Sequence, residues 1–316
     1  MRLALMTEPQ QGLSYEEILA AARTAEDAGL EAFFRSDHFA SFPGPAGLPT
    51  TDVWSTLAGL ARDTTRIRVG SLVSPVTFRI PGVFAKQVAT VNEMSGGRVE
   101  VGMGAGWNED EHRQLGIPFP PLRERYDMLE EALGVVHGLW TQPDGWTSAG
   151  PRWPIDGARF APRPEQPGRR HPTLILGGDG GPRLARLVAE FADEFNLVSA
   201  SPDKAREAYG RIDEACRAIG RDPGEVSRSA MTGVLIAETE QDLRDRVKAQ
   251  LEMTGQRAAD ASAWLEERRG RWLMGTLDEA AERLRDFAAA GVQRVMLQDF
   301  LPRDLDMVRL MPSLAA

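Results

Sequence analysis

Short apolar runs alternate along this chain with longer amphipathic stretches. Arg2–Met6 reads as a strand. Ser14 and Glu17 form a capping box ahead of Ile18, Ala22 and Ala25, one face of a helix that stops at Gly29. Glu31–Arg35 is the second strand, Asp52 caps a helix through Ala61, and Ile67–Val73 is the third strand. Phe84, Val88 and Val91 mark a helix closed by Gly96. In Arg98–Met103, Val alternates with Arg, Glu and Gly, the pattern of a fourth strand. Tyr126, Leu129, Leu133, Val136 and Trp140 then share one face of a long helix.

Periodicity is lost over 141–172, where Pro, Gly, Arg and Trp dominate. Trp146, Trp153 and Phe160 need packing partners, so this stretch is an excursion rather than a linker. Alternation resumes with strands at Thr173–Leu176, Phe195–Val198, Ala230–Ile236 and Arg294–Leu297. Helices follow at Leu184–Val188, Pro202–Ile219, Thr276–Ala290 and Asp304–Met311, and a long charged helical stretch covers Glu240–Gly270. Eight strand–helix units predict an α/β fold, a (β/α)8 TIM barrel with insertions, as one domain over 1–316. An open doubly wound sheet is the runner-up.

Composition narrows the partners more than the fold. The formal net charge of −9 argues against nucleic acid or an anionic membrane as the main partner. Cys216 is the only cysteine, which excludes an intrachain disulfide and a cysteine zinc site and fits a reducing compartment. The opening run MRLALMTEPQ is too short for a signal peptide, so a cytoplasmic location is expected. The four histidines show no metal-ligand spacing, and no metal is expected.

In such a barrel the chemistry sits where strands end. His38 follows the second strand, beside Asp37; a histidine there can move a proton, and an adjacent carboxylate can orient it. After the third strand, the run from Leu72 and Val73 to Arg79 reads as an ordinary turn around Pro75 or as small and β-branched side chains that press on one face of a planar ring. Gly104, Ala105, Gly106 and Trp107 end the fourth strand with a glycine turn and a flat aromatic. That run reads as a tight loop before a helix or as a cofactor wall. Gly177, Gly178, Asp179, Gly180 and Gly181 precede a helix with Pro182 at its first position, an anion site in which Arg183 and Arg186 supply charge. Asp179 cuts the other way, since its carboxylate can cap the helix itself. The run Glu109–Glu111 reads as a helix start, where carboxylates suit the dipole. Trp54 reads as core.

Taken in order, Ser36-Asp37-His38-Phe39, Val76–Pro81, Ser95–Arg98, Gly102–Trp107, Gly177–Gly181 and Ala192–Asn196 give a chain that resembles the bacterial luciferase-like monooxygenase superfamily. It is most similar to the branch that uses the 8-hydroxy-5-deazaflavin coenzyme F420. The resemblance implies a ring in the barrel mouth, a non-proline cis peptide at Leu72–Val73 beneath it, and a phosphate on the glycines at 177–181. It also implies His38 near the reactive carbon and a homodimer. Two positions depart from the sugar-phosphate dehydrogenases of that branch. Phe42 stands where they carry Trp, and Trp107 where they carry a catalytic Glu, which speaks against glucose-6-phosphate.

Residues and resemblance together point to an F420-dependent oxidoreductase moving a hydride between the deazaflavin and a small organic substrate, with a proton handled by His38 and Asp37. An FMN-dependent monooxygenase is the alternative. A non-catalytic barrel that binds flavin or another phosphate ligand is the third, although His38 and Asp37 would be superfluous there. The arginines at 152, 159, 163, 169 and 170, together with Arg183 and Arg186, are expected to meet the acidic tail of F420.

Overall fold

The structure, a computed structural model, describes residues 1–257 and 260–315. Its first half runs β1 (Arg2–Thr7), α1 (Tyr15–Ala28), β2 (Ala32–Arg35), α2 (Val53–Asp63), β3 (Arg68–Pro75), α3 (Pro81–Ser95), β4 (Val99–Gly104), α4 (Glu109–Leu115) and α5 (Leu122–Thr141). Two short strands follow, β5 (Trp146–Ser148) and β6 (Ile155–Ala158), and then β7 (Thr173–Gly178), α6 (Pro182–Phe191), β8 (Glu194–Leu197) and α7 (Pro202–Ala218). The chain ends with β9 (Ser227–Ala237), α8 (Glu240–Met253), α9 (Ala261–Arg269), β10 (Leu273–Thr276), α10 (Leu277–Ala289), β11 (Arg294–Asp299) and α11 (Leu305–Leu310).

Eight parallel strands pair in the order β1, β2, β3, β4, β7, β8, β9, β11, and β11 returns to β1. These eight strands therefore form a closed (β/α)8 barrel. The helices start where the sequence signals them. Ser14 and Glu17 make both halves of the capping box on α1, and the Ser55 N–H at the start of α2 donates to Asp52 Oδ1 at 2.7 Å. Cys216 is buried on α7.

Two regions differ from the sequence expectation. The excursion at 141–172 contains the β5–β6 ribbon, and Trp146 lies flat against Gly138 of α5, where any Cβ would collide with the indole. The stretch 240–270 is two helices rather than one, and a ninth strand, β10, follows it and pairs with the far end of β9. A four-residue apolar strand next to an amphipathic helix leaves little periodic trace.

Alternate residues of each strand point into the barrel, and they fill it in layers. At the N-terminal end Arg294 is buried with Glu100 (2.7 Å), Glu31 (3.1 Å) and Glu194 (3.4 Å). Burial opposes charge on Arg294, but these carboxylates hold its pKa above the ordinary value. Its guanidinium lies 5.0 Å above the Phe34 ring, which with Ala4, Ala32, Ile175 and Met296 forms an apolar middle layer. Paired charges and this apolar layer fill the lower barrel, and the cavity formed by the strand ends and their loops lies at the C-terminal mouth.

Candidate active site

Across the mouth lies a cavity of about 550 Å³, bounded by the ends of the barrel strands and the loops that follow them. His38, Leu72, Val73, Gly104, Ala105, Gly106, Trp107, Gly177, Gly178 and Asp179 all line it.

His38 sits at the rim, three residues beyond β2. Its Nδ1 is 2.9 Å from Oε1 of Glu111, which is 1% exposed on α4. A carboxylate only accepts, so Nδ1 carries the hydrogen, and in the neutral imidazole Nε2 then holds the lone pair. The second Glu111 oxygen accepts the Phe39 N–H at 2.9 Å, which ties the loop after β2 to α4. Phe42 and Trp107 pack edge-on against the imidazole at 4.5 and 5.6 Å and against each other at 5.2 Å. Trp107 remains 65% exposed, a wall open to the solvent side of the cavity.

Asp37 does not orient His38, contrary to the sequence expectation. Successive residues at the end of β2 point opposite ways, and Asp37 turns into the protein. There it accepts from Arg79 at 2.5 Å, and Arg79 also donates to Asp52 at 2.5 Å. Burial pushes the Asp37 carboxyl up, against the pull of Arg79. This chain of charges joins the end of β2, the loop after β3 and the start of α2. The orienting carboxylate comes instead from Glu111, 73 positions along the chain. The acidic start of α4 was its one sequence signal, and that signal is shared by Glu109 and Asp110, which are exposed.

The floor is Val73, and the Leu72–Val73 peptide is cis, where the resemblance puts it. Two of the glycines serve Val73 rather than leaving N–H groups open. A Cβ on Gly104 would stand 2.7 Å from Val73 Cγ2, and one on Gly177 2.9 Å from Cγ1. Strands β4 and β7 thus lack side chains where the two methyl groups lie, and Val73 stands as a ledge in the cavity wall. Gly106 has φ +78°, which only glycine adopts freely. Beyond the fifth barrel strand the cluster divides. Gly178 and Asp179 face the cavity; Gly180 packs against Ala208 and Phe195, and Gly181 caps α6. The Gly181 N–H donates to Asp179 Oδ1 at 3.1 Å, so Asp179 occupies this turn itself.

The expected basic exit is also corrected. Arg183 pairs with Asp127 and Glu130, and Arg186 with Glu130 at 2.6 Å. Arg152, Arg163 and Arg169 pair with Glu124, Asp144 and Asp193. None of these arginines lines the cavity.

A polar group that sequence reasoning missed closes the opposite wall. Glu8, two residues beyond Met6, accepts from Gln10 Nε2 at 2.7 Å and from Gln298 Nε2 at 2.6 Å. Met6 and Gln298 are register partners on β1 and β11, which brings these distant residues together. Ser199, with φ +46°, completes the rim beyond β8.

A family model described as luciferase-like monooxygenase matches residues 1–294. The chain belongs to the luciferase-like monooxygenase family. It is 31% identical over 195 residues to an F420-dependent glucose-6-phosphate dehydrogenase of Kribbella flavida, a match covering 61% of this chain and 55% of that one. In fold it is similar to an F420-dependent secondary alcohol dehydrogenase in complex with an F420-acetone adduct (TM-score 0.80, 19% identity, 99% and 98% of the two chains). It is also similar to the oxygenating constituent of 3,6-diketocamphane monooxygenase from Pseudomonas putida in complex with FMN (TM-score 0.76, 16% identity, 98% and 97%). The luciferase-like barrel thus accounts for the architecture across the whole chain, and membership places the protein among oxidoreductases. No helix among the described residues is long and apolar enough to cross a membrane.

Proposed function

We propose that this protein is an F420-dependent oxidoreductase that moves a hydride between the deazaflavin and a small organic substrate. The observation that carries the reading is the pairing, in one cavity, of the Val73 ledge with the His38–Glu111 dyad. The ledge, cleared by Gly104 and Gly177, fits one face of a planar ring, and Phe42 and Trp107 screen the opposite side of the rim from water. Gly178 and the start of α6 would take the phosphate through backbone N–H groups. The deazaflavin, when bound, supplies hydride chemistry. His38 exchanges the accompanying proton at Nε2, and Glu111 holds the tautomer that leaves this nitrogen available. The F420-dependent relative at 31% identity supports the choice of cofactor. Trp107 and Phe42, at the positions where the sugar-phosphate dehydrogenases of the F420 branch carry Glu and Trp, speak for a substrate other than a sugar phosphate.

One observation favours the FMN monooxygenase reading. Arg183 and Arg186, at the start of α6, are already paired with carboxylates of α5, which leaves them less charge to offer the oligoglutamate tail of F420. Fluorescence titration of the purified protein with each cofactor separates the two. We expect F420 to bind at low micromolar concentration or better and FMN at least tenfold more weakly. Equal or tighter FMN binding, with oxygen uptake when the flavin is reduced, would make the protein a monooxygenase.

A further inference from the structure

The charges around the cavity are one-sided. Its acidic members are Glu8 and Asp179, and among the described residues no Lys or Arg lines it. Asp179 is at the exposed turn and spends one oxygen on the Gly181 N–H. Glu8 is different: it is 5% exposed, in a cavity whose lining also includes Met6, Leu72, Met231 and Phe300. A buried carboxylate is ordinarily paired with a cation. Glu8 makes no ion pair among the described residues; its partners are the two neutral amides of Gln10 and Gln298. Arg35 feels its field, but that guanidinium is held by the Ser36 carbonyl, Thr51 and Thr56.

The bracket around Glu8 is itself braced. Gln10 Oε1 accepts from Ser36 Oγ at 2.6 Å, so the amide cannot flip without losing that bond. Gln298 is fixed by its place in β11. Each Glu8 oxygen receives one of these hydrogen bonds and keeps acceptor capacity, since a carboxylate has about four lone-pair sites. The result is a carboxylate held by two amides in the cavity wall, with no ion-pair partner among the described residues.

We propose that Glu8 is a specificity residue that selects a substrate with an apolar body and a cationic, hydrogen-bond-donating nitrogen, an amine or iminium. A charge-assisted N–H···O bond is roughly twice as strong as a neutral one, and in a wall of low polarity the gain is larger than in water. The same carboxylate repels a substrate carboxylate placed against it, which meets no compensating Lys or Arg on this cavity wall among the described residues. The proposal rests on reading this cavity as the substrate pocket, and it does not depend on which flavin binds.

The test uses benzylamine, benzyl alcohol and benzoate as matched probes, titrated calorimetrically against the intact protein with and without F420. We expect affinity to fall in that order, with at least tenfold between the amine and benzoate. Glu8→Gln, which keeps the shape and removes the charge, should cost the amine about tenfold or more while the alcohol changes less than threefold. Benzoate binding as tightly as benzylamine would overturn the proposal, as would failure of benzylamine to bind or an unchanged amine affinity in Glu8→Gln. The ranking on the unaltered protein needs no variant to fold. Failure of F420 to bind, with the ranking intact, would sink the cofactor reading and leave this one standing.

Discussion

His38 shows how much of a catalytic group lies outside its own stretch of chain. The ring is placed by β2, but its tautomer is set by Glu111, whose Oε1 faces His38 Nδ1 while Oε2 accepts the Phe39 N–H. Replacing Glu111 by Gln puts an NH2 group against either the His38 Nδ1–H or the Phe39 N–H, two donors face to face. Glu111→Gln should therefore lower kcat by about ten- to a hundredfold through the misplaced imidazole, while F420 affinity changes less than threefold. Single-turnover measurements on the F420-loaded enzyme check this, and kcat within a factor of two of the parent would return Glu111 to a purely structural brace. His38→Ala should cost at least as much, because the proton-carrying group itself is gone.

Whole elements reach the cavity through their neighbours. No described residue of the 240–270 segment lines it, yet an aromatic ladder links the two. Trp264 of α9 packs edge-on against Trp272 at 5.4 Å, and Trp272 stacks on Phe300 at 5.1 Å, which is a cavity wall. Trp272 also lies flat on Gly233 of β9, where any Cβ would collide with the indole. Arg268 covers the outer ring of the ladder at 4.3 Å. Trp272→Ala should thus destabilise the fold by about 2–3 kcal/mol, below the usual cost for a fully buried Trp because Trp272 is only partly buried. Phe300 loses its backing in the same variant, so affinity for a cavity ligand should drop about three- to tenfold. Urea unfolding and cofactor titration on one preparation check both; lost stability with unchanged affinity would make the insertion an outer packing element only.

At the scale of the whole molecule, pH acts through Asp299 at the end of β11. It is fully buried, with Oδ1 accepting the Leu301 N–H at 2.7 Å and Oδ2 without a partner. Burial pushes its carboxyl from 3.8 up to about 7. Between those values the folded chain holds a proton that the unfolded chain has released. The contribution of Asp299 to stability is therefore complete below about pH 4, falls as pH rises, and is gone above about pH 7. Asp299→Asn keeps the acceptor for Leu301 and removes the titration. The variant should gain on the parent by about 2 kcal/mol or more in urea unfolding between pH 5 and pH 8. Parallel stability curves over that range would show that Asp299 does not titrate there.

The sequence by itself determined the barrel, because strand alternation, capping residues and glycine stops are local signals that each element carries within itself. Ser14 with Glu17, Asp52 and Pro182 mark helix starts, and the rim motifs at 36–39, 102–107 and 177–181 were legible because strand ends were already known to be where sites form. What only the tertiary structure decided are pairings between distant positions. Barrel closure brings Glu8 to Gln298 through the β1–β11 register, and α4 swings Glu111 rather than Asp37 against His38. Arg183 and Arg186, expected to meet the acidic cofactor tail, are taken up by carboxylates on α5. Charge in a sequence has a sign but no neighbour. Which carboxylate is buried, which arginine is spent and which acid is left uncompensated depend on closing the sheet, and that closure turned a run of modest motifs into one cavity with a defined polarity.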